Sequence, residues 1–295
     1  MISNFSANTH SDPADGEGDP LLALYDDTMR RNGNVAGCAR EQTADVSRYT
    51  TSTGSQRYIM WHDFAPESAG HVVETELSSV AGNAKVLMWK LYAHDVSHEA
   101  LRAALLARGF SENDHCTLMA CTVDTLSERL SAVKVDAAES QVDVRELTTP
   151  QSLDAYQEIW DDVWPGAPNK RYVDDYRDRL VRRDPGIVFF AGFAGTGVDA
   201  EPVTSGYMFH HPGAPFALLC GGTTKAKWRR QHAYTAMLAA RTRSALGRGA
   251  SFLAVEASAA SRPILERVGF VPLSTLAFYE KHIDEPLRHA PLLDR

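Results

Sequence analysis

The sequence has few cysteines, no long apolar run and no surplus of basic residues, and each deficit excludes a class of protein. Its cysteines, Cys38, Cys116, Cys121 and Cys220, are too few and too scattered for a disulfide scaffold, and they lack the paired spacing of structural zinc. No apolar stretch approaches the roughly 18 residues that a transmembrane helix needs. Residues 1–20 are polar and acidic without an apolar core, so we expect no secretory signal and a reducing, cytoplasmic setting.

What the chain does have is the composition of an ordinary globular protein. It contains 295 residues, of which 44% are hydrophobic and 23% charged, enough to bury a core in two domains of ordinary size. The 30 Lys and Arg residues against 38 Asp and Glu give a net charge of −8. This acidic total argues against a general nucleic-acid binder.

The charge is unevenly distributed along the chain. Residues 202–255, here called the basic segment, contain no Asp or Glu but seven basic residues: Lys225, Lys227, Arg229, Arg230, Arg241, Arg243 and Arg248. A basic segment within an acidic protein favours a compact polyanion as its ligand over a long one. The alternative, a solvated helix face that carries arginines, is about as well supported by the charge run alone.

The pattern of apolar residues predicts an α/β protein of two related halves. Residues 1–20 are predicted to form a disordered arm, and the polar stretch 125–140 separates a domain over 21–135 from a second over 141–295. Within them, 71–80 (HVVETELSSV) is predicted as a strand and about 229–247 as a long helix. The matching endings LLARGF (105–110) and LERVGF (265–270), each between a helix and a strand, support an internal repeat.

The most informative stretch is GGTTKAKWRRQHAYTAML, residues 221–238. An apolar strand, 216–224, ends in two glycines, Gly221 and Gly222, and two threonines, and a basic loop then leads directly into a helix. This layout is typical of an anion site, because free backbone N–H groups and the positive helix end meet the ligand there. The two glycines allow another chain or a ligand to approach the backbone closely. The spacing is neither that of a nucleotide-hydrolysing P-loop nor GxGxxG.

The block FALLCGGTT…RRQHAYTAML…SFLAVEAS…RPILERVGF resembles the GNAT superfamily of acyl-CoA N-acyltransferases. That superfamily carries R/Q-x-x-G-x-G/A at a helix start, and here the positions run from Arg229 to Tyr234, with His232 and Tyr234 at the two glycine positions. Because such a loop binds through backbone N–H groups, a side chain at 232 is compatible with it where φ is negative. The resemblance covers about 141–295, and the N-terminal half resembles a degenerate copy that lacks the phosphate loop.

The resemblance implies two halves, each with a mixed, mostly antiparallel sheet flanked by helices, and transfer of an acetyl or other short acyl group to an amine of a small molecule. Acetyl-CoA or another acyl-CoA is the implied co-substrate. The implied CoA-binding residues are Gly222, Thr223 and Thr224 for the pantetheine arm, Arg229, Arg230, Gln231, His232, Ala233, Tyr234 and Thr235 for the pyrophosphate, and Ser258. Leu265 occupies the position where many members carry the tyrosine that protonates the departing thiolate.

Several residues are candidates for proton transfer, and each has a structural alternative. Glu256 at a strand end is a candidate base, although a hydrogen-bonded carboxylate is the better-supported reading. His210 and His211 either line a cleft or lie in a surface turn, and Tyr279 is either an acid or a core aromatic. Trp160 and Trp164 form either a lid over the site or part of the core, and Cys220 is better explained as a buried hydrophobe than as a nucleophile. The spacing of four further histidines predicts no metal site: His62, His94, His98 and His115.

Two other function classes stay open on the sequence. A non-catalytic acyl-CoA sensor or scaffold is slightly favoured by His232 and by the missing tyrosine at 265, whereas the intact basic loop and Arg229 count against it. A nucleic-acid binder has thin support from Trp228 and Tyr234. We expect neither a nucleic-acid nor a membrane partner, a homodimer is compatible with the sequence, and the acidic remainder of the chain suits an amine-bearing acceptor.

Overall fold

One sheet of eleven strands runs through both halves of the chain. The computed structural model describes residues 19–283, with gaps at 36, 52–53, 81–84, 133–141, 168, 185, 196 and 198–199. The strands are β1 (Cys38–Gln42), β2 (Val46–Thr51), β3 (Gln56–His62), β4 (Val86–Tyr92), β5 (Ser111–Thr122), β6 (Val142–Leu147), β7 (Ile187–Ala194), β8 (Glu201–Phe209), β9 (Phe216–Thr224), β10 (Phe252–Ala257) and β11 (Val271–His282).

Helices cover both faces of this sheet. They are α1 (Pro20–Tyr25), which continues as a π-helical turn over Asp26–Arg31, α2 (Ala69–Ser79), α3 (His98–Ala107), α4 (Val123–Ala132), α5 (Leu153–Val163), α6 (Asn169–Val181), α7 (Ala233–Gly247) and α8 (Arg262–Val268). Strand β7, IVFFAGFA, is buried along nearly its whole length, which is the pattern expected of a strand covered on both faces. Alternate residues of β7 enter different clusters: Phe189 packs against α5 and α6, whereas Phe190 packs against α7.

The two halves interleave at the centre of the sheet. The strand order is β1-β2-β3-β4-β11-β5-β10-β9-β8-β7-β6. The last strand, β11, thus lies between β4 and β5 of the N-terminal half, and β5 lies between β11 and β10 of the C-terminal half. Each half contributes one strand to the gap between two strands of the other. Eight of the ten neighbouring pairs are antiparallel, and β3–β4 and β10–β9 are the parallel pairs.

The predicted fold class, a mixed and mostly antiparallel sheet flanked by helices, is confirmed. One predicted strand is wrong, the polar stretch is partly helical, and one helix starts later than predicted. The stretch 71–80 forms most of helix α2, because Val72, Val73 and Glu76 together form a buried helical face. The polar stretch after residue 125 includes most of helix α4, on which Leu126 is fully buried. Helix α7 begins at Ala233 rather than at 229.

The predicted domain division stays a prediction. Its boundary near residue 136 and nearly all of the predicted arm lie outside the described residues.

Candidate functional site

Strands β9 and β10 separate part-way along their length. They pair in parallel from Phe216 opposite Phe252 to Leu219 opposite Val255. Strand β9 continues to Thr224, paired on its other side with β8, and none of the described strands pairs with Cys220–Thr224 on the β10 side. Gly222 is therefore exposed in the middle of a sheet. The unpaired stretch, here called the open edge, presents backbone groups that an extended ligand can bind as an added strand.

A β-bulge distorts β9 at the start of the open edge. The register with β8 shifts between Ser205 and Tyr207, so that Gly221 and Gly222 together face Gly206. Gly221 has a φ of 57°, and a Cβ there would lie 2.6 Å from the Tyr207 ring. A side chain at 221 is therefore disfavoured twice, by the strain of a left-handed backbone and by the contact with the aromatic ring.

Three buried polar atoms near this bulge have no hydrogen-bond partner among the described residues. They are Tyr156 Oη, Ser205 Oγ and Arg241 Nε. Because buried polar groups in folded proteins are nearly always hydrogen-bonded, such atoms are expected where a ligand or ordered water completes the structure. Buried polar groups without hydrogen-bond partners thus lie next to the open edge.

The loop before α7 has an unusual backbone. Arg230 has a φ of 63° and His232, the N-cap of α7, a φ of 59°, so both lie in the left-handed region. The condition of a negative φ at 232 is not met. No side chain caps the first turn of α7, and that turn contains no acidic residue, so its N–H groups face the loop unneutralised.

Part of the basic segment is neutralised by carboxylates outside it. Lys225 is buried and donates to Glu158 Oε1 at 2.7 Å, and Lys227 approaches Glu201 Oε1 at 2.7 Å. Arg229 is exposed, and its Nε donates to the carbonyl of Thr224 at 3.1 Å. The exposed charge at the loop is therefore carried by arginines 229 and 230, next to the N-terminus of α7.

Arg241 is buried beside the open edge. The residue is 2% exposed, and its guanidinium packs against the backbone of Gly206 and Gly222. Its Nη1 donates to the carbonyl of Cys220 at 3.4 Å, and it makes no ion pair with any carboxylate in the described part of the chain. Burial lowers the pKa of Arg241. Because arginine side chains are not deprotonated in proteins, the guanidinium nevertheless carries a positive charge.

A charged cluster from both halves lies on the other side of the opening. Glu256 on β10 accepts two hydrogen bonds from Lys90 Nζ on β4, at 2.6 and 2.9 Å, and one from Tyr92 Oη at 3.2 Å. Burial raises the pKa of Tyr92 well above its usual value, and so do Tyr25 and the Glu256 charge. Tyr92 therefore remains a protonated donor, and the N-terminal half takes part in positioning Glu256.

The comparisons with known proteins concern the fold. No family model matches the sequence, and no curated protein does. Several solved structures match most of the chain. One is a conserved protein of unknown function from Staphylococcus epidermidis, with 12% sequence identity and a TM-score of 0.63, and the match covers 86% of this chain and 98% of that one. A GCN5-related N-acetyltransferase from Kribbella flavida follows (16%, 0.58, 83% and 89%). A tandem GNAT protein from the clavulanic acid biosynthesis pathway also matches (12%, 0.54, 86% and 86%).

The chain has the tandem GNAT fold. At these identities the likeness is one of fold, and it confirms the two-halved architecture that the resemblance implies.

The tandem GNAT fold brings most of the predicted CoA-binding residues to one place. Gly222, Thr223 and Thr224 form the open edge, and residues 229–235 form the adjoining loop and the first turn of α7. Ser258 follows β10 directly, and its Oγ accepts from the backbone N–H of Ser261 at 3.3 Å in the turn before α8. Their role in binding CoA stays a prediction.

Cys220 lies on β9 where the open edge begins. Burial raises the pKa of its thiol to about 12, and the nearby Glu256 charge contributes to the rise. A thiol with this pKa is almost fully protonated at neutral pH, which argues against a cysteine nucleophile.

The other proton-transfer candidates lie away from the opening. Tyr279 packs in the cluster of Trp89, on the sheet face opposite the one from which Lys90 reaches Glu256, and burial raises its pKa to about 12. His210 is buried rather than exposed as a surface turn residue would be. Its Nε2 lies 3.1 Å from the carbonyl of Ala214, at the end of β9 opposite to the open edge.

The remaining candidates have mainly structural surroundings. Leu265 is fully buried in the core cluster beneath α7. Trp160 and Trp164 stack edge to face at 5.2 Å, and Trp160 packs against Tyr156, so these residues belong to the α5–α6 layer. Within the described parts of the chain there is no cluster of potential metal ligands. No helix there is long and apolar enough to cross a membrane.

Sequence reasoning missed the contribution of the N-terminal half. Lys90 is the lone charge in the apolar run VLMWKLY of β4, and this interruption of a buried strand is the signal that could have marked it. Its partner Glu256 lies 166 residues further along the chain, so the pairing is not visible without the fold.

The N-terminal half has a related separation of parallel strands, but an arginine fills it. Strands β3 and β4 pair only as far as Ile59 opposite Trp89. Arg30 Nε donates to the carbonyl of Met60 at 3.1 Å, and its guanidinium binds both oxygens of Asp95 at 2.9 and 3.0 Å. This filling is consistent with the prediction that the N-terminal half is a degenerate copy.

Proposed function

We propose that the protein is an acyltransferase that moves an acetyl or other short acyl group from acyl-CoA to an amine of a small molecule. The observation that carries the proposal is the open edge of β9, which lies next to the uncapped start of α7 and to Arg229 and Arg230. The open edge suits the pantetheine arm of a CoA molecule, and the start of α7 with the two arginines suits its pyrophosphate and other phosphate.

The proposed reaction is a direct attack of the amine on the thioester, without a covalent enzyme intermediate. The amine nitrogen attacks the thioester carbonyl, and the C–N bond forms as the C–S bond breaks. The nitrogen gives up one proton to the base, and water supplies the proton that the departing thiolate takes up. In the proposed mechanism, backbone N–H groups at the bulge stabilise the negative oxygen that forms on the thioester carbonyl. Glu256 acts as the general base, directly or through water, and Lys90 and Tyr92 hold its carboxylate in place.

The first experiment is thermal unfolding with and without acetyl-CoA. A ligand at a hundred times its dissociation constant stabilises a protein by about 2.7 kcal/mol. Replacing both Arg229 and Arg230 by Ala should abolish the shift, whereas the matched variant Arg243→Ala, on the exposed face of α7, should retain it. No shift at millimolar acetyl-CoA, or an unchanged shift in the double variant, contradicts the proposed site.

The second candidate is a non-catalytic acyl-CoA sensor. It is supported by the ion pair that engages Glu256 and by Leu265 at the position of the missing acid. Thiol release across a panel of amines separates the two functions. For an enzyme, Glu256→Gln should lower the rate by about 10²-fold or more while the acetyl-CoA shift persists, since general-base catalysis contributes on this scale. A sensor releases no thiol above the uncatalysed rate.

A further inference from the structure

Among the described residues, two arginines are almost completely buried, and they differ in one respect. Arg30 is 1% exposed and is neutralised by Asp26 and Asp95. Arg241 is 2% exposed and has no carboxylate partner in the described part of the chain. Each donates to a strand carbonyl next to a separation of parallel strands, at Met60 and Cys220 respectively. The arginine in the filled opening thus has its own counter-charge, whereas the carboxylate at the open one, Glu256, is paired with Lys90 and not with Arg241.

The groups that surround Arg241 are all neutral at physiological pH. The electrostatic partners of its guanidinium are Tyr234, Cys220 and Tyr156. Burial raises the pKa of all three, that of the cysteine to about 12, so none of them supplies a negative charge. An isolated cation in such surroundings is costly unless an anion accompanies it.

The guanidinium is also within reach of the open edge. A Cβ built at Gly222 would lie 3.4 Å from Nη2, and Gly222 itself is exposed. The space next to Gly222 is therefore bordered by the Arg241 guanidinium and by the ring of Tyr234, which would lie 3.5 Å from the same Cβ. Gly206, where a Cβ would be 3.2 Å from Nη1, leaves the space that the guanidinium occupies on the neighbouring strand.

We propose that the acyl group carried to this site ends in a carboxylate, as in a short dicarboxylic acyl-CoA ester, and that Arg241 selects it by forming the missing ion pair. This inference rests on the proposed function and names the class of acyl donor. A guanidinium suits the role because it binds a carboxylate through two parallel hydrogen bonds. The carboxylate is not consumed: the amine displaces the thiol at the other end of the acyl chain, and the product is an amide that bears a free acid.

The test compares CoA esters by isothermal titration calorimetry. We expect succinyl-CoA or malonyl-CoA to bind the wild-type protein at least about tenfold more tightly than acetyl-CoA, a difference that one charge-assisted pair can supply. Arg241→Met should remove this preference, and the matched variant Arg243→Met should keep it. Equal affinity of the wild-type protein for all three esters overturns the inference but leaves the acyltransferase proposal standing.

The outcomes separate the two proposals. Failure of every CoA ester to bind overturns both of them. The stability of the unliganded variant gives a readout that does not depend on binding: if the ligand supplies the missing charge, Arg241→Met unfolds at the same or a higher denaturant concentration than the wild type. A variant that unfolds much earlier, or does not fold, assigns Arg241 a structural role. In that case the wild-type ratio of ester affinities still decides the inference.

Discussion

The left-handed backbone at His232 predicts that alanine and glycine differ in stability with opposite sign at residue 232 and at the residue before it. We compare alanine with glycine at 232 and, as a matched control, at Gln231, which lies between Arg230 and His232 but is not in the left-handed region. Both replacements at one position remove the same side chain, including the hydrogen bond from Gln231 to the carbonyl of Lys227 in the control. The difference between them therefore isolates the backbone.

The expected magnitude comes from two opposing effects. A Cβ in the left-handed region costs about 1–2 kcal/mol in the folded state. Glycine loses more conformational freedom on folding, which costs about 0.5–1 kcal/mol at any position. At 232, where φ is 59°, glycine should therefore be more stable than alanine by about 0.5–1 kcal/mol. At 231 alanine should be the more stable by a similar amount.

Urea unfolding followed by circular dichroism measures all four variants. The reversal of sign between the neighbouring positions is the expected result. A more stable alanine at 232 would refute the reasoning, because it would mean that the loop holds no left-handed residue there. The single change His232→Gly also brings the sequence to the glycine of the GNAT loop pattern.

Three further predictions follow from the buried polar groups. Lys90→Met should lower the free energy of unfolding by about 2–3 kcal/mol in urea titrations, because Glu256 loses its partner. Combining Lys90→Met with Glu256→Gln should restore most of the lost stability, and additive losses in the double variant would contradict the prediction. Cys220, with a pKa of about 12, should resist iodoacetamide at pH 8 in the folded protein, and stoichiometric labelling seen by mass spectrometry would oppose the assigned thiol state. His62, whose pKa burial lowers to about 4, stays neutral when folded while the unfolded chain binds a proton near pH 6.5. Stability should thus fall by up to about 3 kcal/mol as pH drops from 6.5 to 4, and His62→Gln should flatten this slope.

Local patterns were sufficient for most of the C-terminal half. Strand β9 ends at Thr224 as its apolar run predicts, and the basic loop leads into α7. The stretch 71–80 shows the limit of such reasoning. Its valines favour a strand, but Val72, Val73 and Glu76 bury one helical face against the sheet, and tertiary packing overrides propensity.

The site was predictable only where its residues are close in sequence. The glycines and arginines of 221–230 stand within one motif, so their proximity follows from the chain itself. The Lys90–Glu256 pair depends on the order of strands, and the isolation of Arg241 depends on which carboxylates are absent around it. Long-range pairing and the absence of a partner leave no trace in a local pattern.

The interleaved strands also affect the order in which the molecule can fold. Domains usually fold as units, with the N-terminal one complete first during synthesis. Here β11 is the last strand in chain order and inserts between two strands that are made much earlier, so β4 and β5 wait with unpaired edges until it emerges. Unpaired edges of this kind are templates for pairing with other chains, so we expect the nascent N-terminal half to be prone to aggregation until β11 has paired. A shortened chain that lacks residues 271–282 should therefore fail as a whole, because the strand that completes the first half is encoded in the second.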